Sequence, residues 1–146
     1  MSNTIPVEIV TAERIVYKAD ATMVIIPASA GDIGVLPKHA PLLTTLKVGE
    51  LRVKQDNAPE KSIFIAGGFA EVLPDKITIL ANTAQRSEEM DELEAREAQK
   101  RAKDLMANAT SKEDIAKAEL LLRETTVKLR IVRKYKEESG IPFNEE

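Results

Sequence analysis

The sequence contains no cysteine and no tryptophan, and aromatic residues make up only 3% of its 146 residues. Without cysteine, a disulfide scaffold and a cysteine-ligated zinc site are excluded. Few rings are available to stack on bases, and a net charge of -3 provides no general attraction to phosphates, so we expect no nucleic-acid partner. Neither a signal-peptide pattern nor an apolar run of about eighteen residues occurs. We therefore expect a soluble, cytosolic chain that reaches a membrane only through a partner.

Composition changes sharply near residue 85. Before it lie short runs rich in Val, Ile and Thr, separated by glycine, proline and other turn residues, as is typical of half-buried strands. After it, Glu, Lys, Arg, Ala and Leu dominate, and neither glycine nor proline occurs until Gly140, which is typical of helices. The sequence therefore predicts two domains, residues 1–85 and residues 86–146.

The first domain reads as an all-β domain. Val7 and Ile9 alternate with polar residues, as Ile77 and Ile79 do, which indicates strands with one buried face. Short strands with no helices between them predict an antiparallel β-sandwich or flattened barrel. The strand candidates are PVEIV, ERIVY, TMVII, ELRVK, KSIFIA, AEVL and KITIL.

The second domain reads as two helices of roughly equal length. Ser87 is predicted to cap the first helix and Ser111, with Asp114 three residues later, the second. Each helix carries small or aliphatic residues at alternating steps of three and four, a narrow seam that allows close helix packing. We therefore expect an antiparallel helical hairpin. The seams are Ala95, Ala98, Ala102, Leu105 and Ala109, and Ile115, Ala118, Leu122, Thr125, Leu129 and Val132.

His39, the only histidine, lies in the glycine- and proline-rich stretch GDIGVLPKHAPLL. A general base needs a nucleophile or an orienting carboxylate nearby, and only Asp32 is close in sequence. Metal binding would need further strong ligands at suitable spacing. We therefore expect His39 to order the loop by bonding backbone groups, and we predict neither a catalytic residue nor a metal site.

Two long motifs identify a family. The segments GDIGVLPKHAPLLTTLKVGELRV and IAGGFAEVLPDKITILANTA, followed by the charged hairpin, resemble the epsilon subunits of bacterial F-type ATP synthases over essentially the whole chain. The resemblance implies a non-catalytic rotor subunit that turns with the gamma subunit and the ring of c subunits and couples proton flow to ATP synthesis. It also implies a peripheral location on the cytoplasmic face of the bacterial cell membrane.

The resemblance further implies that the loop around His39 docks on the rotor ring. Its glycines would permit sharp backbone turns and its prolines would stiffen it. Asp32 would be the polar contact, and Leu42 and Leu43 would anchor the loop to the sandwich. The predicted docking residues are Gly31, Asp32, Gly34, Pro37, His39, Pro41 and Leu42.

For the hairpin, the resemblance implies that it can extend along gamma and block ATP hydrolysis. Residues 117–136 carry seven cations against two glutamates, and the family places this face near an acidic segment of the catalytic beta subunits. The alternative is an ordinary solvated face whose cations suit the helix C-terminus. The predicted inhibitory basic face comprises Arg123, Lys128, Arg130, Arg133 and Lys134.

A second function, ATP sensing, is an alternative. Some family members bind ATP through an I/L-D-x-x-R-A motif, and here Met90, Asp91 and Ala95 match while Glu94 stands at the arginine position. A carboxylate there repels phosphate, and Arg96 lies roughly 200° further round the helix. We therefore expect no cofactor and only weak or absent ATP binding.

Overall fold

The computed structural model describes residues 3–140. The chain divides into two compact units, Met1–Ser87 and Glu88–Glu146. Within the described residues, no helix is both long and apolar enough to cross a membrane.

The first unit is a β-domain with eight strands among the described residues. The strands are β1 Ile5–Val10, β2 Ile15–Ala21, β3 Met23–Ala28, β4 Gly31–Val35, β5 Leu42–Thr45, β6 Gly49–Lys54, β7 Lys61–Leu73 and β8 Lys76–Arg86. The strand order is β2-β1-β8-β7-β6-β3-β4, and β5 also pairs with β7. Neighbouring pairs are antiparallel except β1 and β8, which are parallel. These two strands come from opposite ends of the unit, so no tight turn between them requires an antiparallel arrangement.

The two long strands β7 and β8 connect the layers of this unit. The first half of β7 pairs with β6, and its second half pairs with β5. Strand β8 follows β7 along its whole length, while its first half also pairs with β1. This arrangement confirms the predicted β-sandwich. It also joins the separately predicted segments KSIFIA and AEVL into one strand.

The sandwich core follows the predicted alternation of apolar residues. Val7, Ile9, Ile77 and Ile79 are all at most 2% exposed. Burial of such aliphatic side chains is the main favourable term for a domain of this size. Other members of the core are Ile5, Val16, Val24, Ile26, Val35, Leu51, Val53, Ile63, Ile65 and Val72.

Strands β4 and β5 were not among the predicted strands. Gly31 and Gly34 lower the strand propensity of β4, and β5 is only four residues long, LLTT. Pairing with β3 and β7 nevertheless orders both segments. The connection that remains between them is residues 36–41.

Gly67 and Gly68 lie where β7 passes from one layer to the other. The register between β7 and β8 stays constant on both sides of this pair, so no extra residue is inserted and the feature is a close approach, not a bulge. Gly68 has a φ of 118°, and a Cβ placed there would lie 2.1 Å from the Leu80 carbonyl oxygen. Only glycine fits this crossing without strain.

The second unit is the predicted antiparallel hairpin, with α1 at Glu92–Asn108 and α2 at Lys112–Glu138. Ser111 caps α2 as predicted, because its side chain accepts a hydrogen bond from the Asp114 N–H. The predicted cap at Ser87 is wrong. Residues Ser87–Glu89 form a single 3₁₀ turn, and Asp91 caps α1. The helices also differ in length, with 17 and 27 residues.

The helix seams agree in part with prediction. Ala95 and Ala102 on α1 are buried, whereas Leu105 is 54% exposed. On α2, Ile115 is exposed, and two residues outside the predicted seam are buried, which widens the buried face of this helix. The buried residues of α2 are Ala118, Thr125, Val127, Ile131 and Val132.

Candidate functional site

The connection between β4 and β5 forms a tip that is fixed by backbone hydrogen bonds. Lys38 adopts a left-handed φ of 68°, and its N–H donates to the Pro74 carbonyl at 3.0 Å. The His39 N–H donates to the Leu36 carbonyl at 3.2 Å. The tip is therefore tied both to itself and to the turn between β7 and β8. We call residues 36–41 the loop tip.

His39 bonds backbone in this tip. Its Nδ1 lies 2.6 Å from the Ala40 carbonyl oxygen, which accepts the bond when Nδ1 carries the proton. Among residues 3–140, no group of three or more His, Cys, Asp or Glu side chains is arranged to hold a metal ion. The geometry suits a histidine that orders the loop.

Asp32 and the two glycines of β4 have separate roles. The Asp32 carboxylate lies 3.6 Å from the Lys47 ammonium, and both side chains are about half exposed. Gly31 has a φ of 135° beside the turn from β3 to β4. Gly34 has an ordinary φ, and a Cβ there would meet the end of the Met23 side chain at 2.5 Å. Gly31 therefore serves a turn, whereas Gly34 makes room for a neighbour.

Leu42 and Leu43, which are predicted to anchor the loop to the sandwich, do not have buried side chains. Leu42 is 36% exposed and Leu43 is 70% exposed. The backbone of β5 holds this segment instead, since Leu42 pairs with Val72 and Thr45 pairs with Phe69. The side chain of Leu43 is therefore available for contact.

An apolar patch lies on the outer face of the sandwich layer formed by β5, β7 and β8. Phe69 and Leu80 are direct cross-strand partners and are 52% and 53% exposed. Their inward neighbours, such as Ala70 and Ile79, are buried, so the exposed residues share one face. Exposed clusters of large apolar side chains mark interaction surfaces. The apolar patch comprises Leu43, Phe69, Leu73 and Leu80.

Sequence reasoning did not predict the apolar patch, although a signal was present. In FAEVL and KITIL, the alternation that buries Val72, Ile77 and Ile79 places Phe69 and Leu80 on the opposite face. Large apolar residues at such outward positions are the signal.

The residues that match the ATP-binding motif lie at the start of α1. The Asp91 carboxylate accepts a hydrogen bond from the Glu94 N–H at 3.1 Å, as helix caps do. Glu94 is exposed, Met90 is half-buried, and Ala95 is 7% exposed in the helix seam. Asp91 and Ala95 therefore have structural roles that need no ligand.

Glu92, the first residue of α1, is the centre of an ion-pair cluster. Its carboxylate accepts hydrogen bonds from Lys136 Nζ at 2.6 Å and from Arg96 Nε at 2.9 Å. The hydrogen bond from Lys136 is the largest cause that holds the pKa of Glu92 below its ordinary value, and Arg96 adds to it while burial opposes both. The sequence did not indicate this cluster, because Glu92 and Lys136 are 44 residues apart.

The cations of α2 do not all lie on one open surface. Arg123, Arg130 and Arg133 are exposed, whereas Lys128 and Lys134 are half-buried. Two of the exposed arginines line a cleft between the helices, with a volume of about 320 Å³. Arg96 lines the same cleft from α1, so three arginines meet there. This arginine cleft is lined by Arg96, Gln99, Thr126, Leu129, Arg130 and Arg133.

Comparison with known proteins shows that the chain is similar to subunits of ATP synthases. The family model described as the β-sandwich domain of the ATP synthase delta/epsilon chain matches residues 4–87. A chain of the Euglena gracilis mitochondrial ATP synthase shares the fold, with a TM-score of 0.75 at 20% identity, over 86% of this chain and 79% of that one. A chain of the Tetrahymena thermophila mitochondrial ATP synthase has a TM-score of 0.57 at 16% identity, over 90% and 95% of the two chains.

Curated relatives then extend the match beyond the sandwich. ATP synthase epsilon chains from Thioalkalivibrio sulfidiphilus and Herpetosiphon aurantiacus are 44% and 46% identical to this chain. These alignments cover 92% and 88% of this chain and 96% and 94% of the relatives. The epsilon chain of Alkalilimnicola ehrlichii is 41% identical over 90% of this chain and 94% of its own length. The chain belongs to the epsilon-chain family of ATP synthases, whose members are not themselves catalytic.

Proposed function

We propose that this chain is a central-stalk rotor subunit of a proton-driven bacterial F-type ATP synthase. It couples the gamma subunit and the ring of c subunits to the catalytic head, and its hairpin regulates ATP hydrolysis. The observation that carries the proposal is the similarity to epsilon chains over about nine-tenths of the sequence, which includes both structural units. The chain works at the cytoplasmic face of the cell membrane, held there by its partners.

The gamma subunit binds the apolar patch in this proposal. Leu43, Phe69 and Leu80 are each more than half exposed on the outer face of a paired sheet, and burial by a partner removes this apolar area from water. Strands β5, β7 and β8 fix the backbone that carries these side chains, so little backbone entropy is lost on binding. A rigid contact of this kind suits a subunit that must transmit torque.

The ring of c subunits contacts the loop tip. Its hydrogen bonds to Leu36 and Pro74 hold the backbone in one conformation, while Leu36 itself is 56% exposed. The exposed Asp32–Lys47 pair adds polar contacts beside the tip. The proposed ring contact is therefore a small preordered loop that carries one exposed leucine, with polar groups in the loop and beside it.

The hairpin inhibits hydrolysis through the cations of α2. Arg123 and Arg130 are exposed, seven residues apart and thus on one side of the helix. An acidic segment of the catalytic beta subunits would complement them. The apolar seam of α1 consists mainly of alanines, so the apolar area that becomes exposed when the helices separate comes mostly from Val127, Ile131 and Val132 of α2.

Affinity capture tests the proposal. The tagged chain is incubated with detergent-solubilised bacterial membranes, recovered and analysed for bound subunits. We expect a gamma-containing ATPase together with the c ring. Recovery of the chain without gamma would contradict the central-stalk assignment.

The arginine cleft favours ATP sensing as a second candidate function. Arg96, Arg130 and Arg133 line one cleft, and arginine is the side chain best suited to bidentate phosphate contacts. Arg96 does not occupy the arginine position of the motif, but it lines the same cleft as the two arginines of α2. Glu94, in contrast, is exposed at the motif position.

Calorimetry with ATP distinguishes binding at the motif position, Glu94, from binding in the arginine cleft. Glu94→Arg replaces a repulsive carboxylate with a phosphate donor, so its ATP affinity should exceed that of the native chain. Arg130→Gln with Arg133→Gln should abolish any binding that the native chain shows. Micromolar ATP binding that survives this double substitution would exclude the cleft as its site.

A further inference from the structure

The ion-pair cluster of Glu92 joins the two helix ends that are farthest from the hairpin loop. Glu92 is the first residue of α1, and Lys136 lies two residues before the end of α2. Lys136 Nζ lies 2.6 Å from Glu92 Oε1, while Arg96 Nε, one turn further along α1, lies 2.9 Å from Glu92 Oε2. Both carboxylate oxygens are therefore engaged, and one of them bridges the helices.

This cluster is partly buried. The side chain of Glu92 is 11% exposed, and those of Lys136 and Arg96 are 25% and 24% exposed. Fully exposed ion pairs contribute little because water and salt screen them. In a partly buried pair the screening is weaker, and removing one partner leaves the other charge partly desolvated without compensation.

The surrounding electrostatics favour this arrangement. A carboxylate at the start of α1 and an ammonium near the end of α2 each suit the dipole of their own helix. The cleft beside Glu92 is lined by Met90, Asp91, Leu93, Arg96 and Lys136. Of these, Asp91 is the other carboxylate, and it accepts the Glu94 N–H as the helix cap.

The buried apolar packing of α2 ends before this cluster. Ile131 and Val132 are the last buried residues of α2, and the residues from Arg133 to Glu138 are half-buried or exposed. On α1, Ala95 is the buried residue nearest to Glu92. The cluster therefore adds a charged contact between the helices in the last turn of α2, beyond the apolar packing.

We propose that the Glu92–Lys136 ion pair is a latch that sets whether the last turns of α2 stay against α1. When the pair is intact, the helix ends remain together. When it is broken, the end of α2 separates while the loop at residues 109–111 keeps the other ends joined. The latch is a property of the hairpin and does not depend on the proposed function.

Hydrogen exchange measured by mass spectrometry on the full chain tests the latch. Glu92→Gln and Lys136→Met each remove one charge while keeping most of the side-chain volume. Loss of a charge-assisted hydrogen bond should raise amide exchange in the last two turns of α2 about tenfold. Glu94→Gln is the matched control, because it removes an exposed carboxylate from the same helix turn, and its exchange should stay within about twofold of the native chain.

Two further variants distinguish loss of the ion pair from general destabilisation of the hairpin. Lys136→Arg retains the cation and should keep exchange close to the native rate. The double variant Glu92→Gln/Lys136→Met should exchange no faster than either single variant, because both changes break the same pair. Equal exchange in the native, Glu92→Gln and Lys136→Met proteins would overturn the proposal. Additive effects of the two substitutions would overturn it as well.

Discussion

At the scale of single residues, some residue types are required by close contacts or neighbouring charges that cannot be read from the sequence. Gly68 is one of them, since its positive φ and the nearby Leu80 carbonyl exclude any side chain. Gly34 differs, because its φ is ordinary and its neighbour is the flexible end of Met23. Both glycines stand in the motifs that identify the family, yet their physical requirements are unequal.

We therefore expect Gly68→Ala to destabilise the sandwich by about 3 kcal/mol or more, from backbone strain and the clash with Leu80. Gly34→Ala should cost about 1 kcal/mol, since the Met23 side chain can move. Urea titration followed by NMR signals of sandwich residues measures both. Equal costs for the two substitutions would show that the crossing of β7 and β8 is more tolerant than its geometry indicates.

The acid sensitivity of the hairpin is expected to depend on Glu92. Its pKa is lower in the folded chain than in the unfolded chain, so its contribution to stability is fully present above the unfolded-state pKa. That contribution is lost as the pH falls through the folded-state pKa. Helix content followed by circular dichroism during acid titration should show this loss in the native chain and a smaller one in Glu92→Gln. An unchanged acid transition in the variant would contradict the assignment.

At the scale of elements, strong periodic patterns were predictable and weak ones were not. Ser111 and the alternating strands in PVEIV and KITIL were correctly predicted because local signals agree with tertiary packing. Strands β4 and β5 were missed because pairing with distant strands orders them. The cap of α1 was placed four residues early because Ser87 and Asp91 are both good capping residues.

The candidate site was less predictable than the fold. The docking loop and the basic face came from the resemblance, and the residues themselves left other interpretations open. The apolar patch depends on the cross-strand register of β7 and β8. The Glu92 cluster depends on a contact between Glu92 and Lys136, which are 44 residues apart in the sequence. Neither relation is visible in a local window of sequence.

The sandwich should fold without the hairpin. All residues of its core cluster lie between Ile5 and Ala84, and β8 ends at Arg86. A fragment of residues 1–87 should therefore be folded by circular dichroism and hydrogen exchange and should still bind gamma. A fragment that ends at Leu80 removes the second half of β8 and serves as the unfolded control. Disorder in both fragments would mean that the hairpin is needed for folding.

The inhibition that we propose for the hairpin should depend on charge. Replacing Arg123, Arg130 and Lys134 with Gln keeps helix propensity while removing three cations. In reconstituted ATPase, hydrolysis should rise toward the level seen without the hairpin, and salt should weaken the native inhibition. The matched control replaces three exposed cations of α1, Lys100, Arg101 and Lys103, and should remain inhibitory. Equal hydrolysis in the two triple variants, with activation on deleting the hairpin, would indicate steric inhibition.

At the scale of the whole molecule, the two units differ in the features that suit them to binding and to conformational change. The sandwich carries a rigid apolar patch and a preordered loop tip, which suit permanent docking. The hairpin carries an alanine-rich seam and a partly buried ion pair, which suit a change of conformation. The rotor subunit that we propose needs both properties, the first to transmit torque and the second to respond to the state of the enzyme.

Binding to ATPase stripped of this subunit tests the central claim most directly. The native chain, the patch variant Phe69→Thr/Leu80→Thr and the control Leu105→Gln, which alters an exposed leucine of α1, are titrated onto the stripped complex. We predict that the native chain and the control bind equally and that the patch variant binds at least tenfold more weakly, because it loses two apolar anchors. Failure of the native chain to bind, or equal binding by all three proteins, would contradict the account.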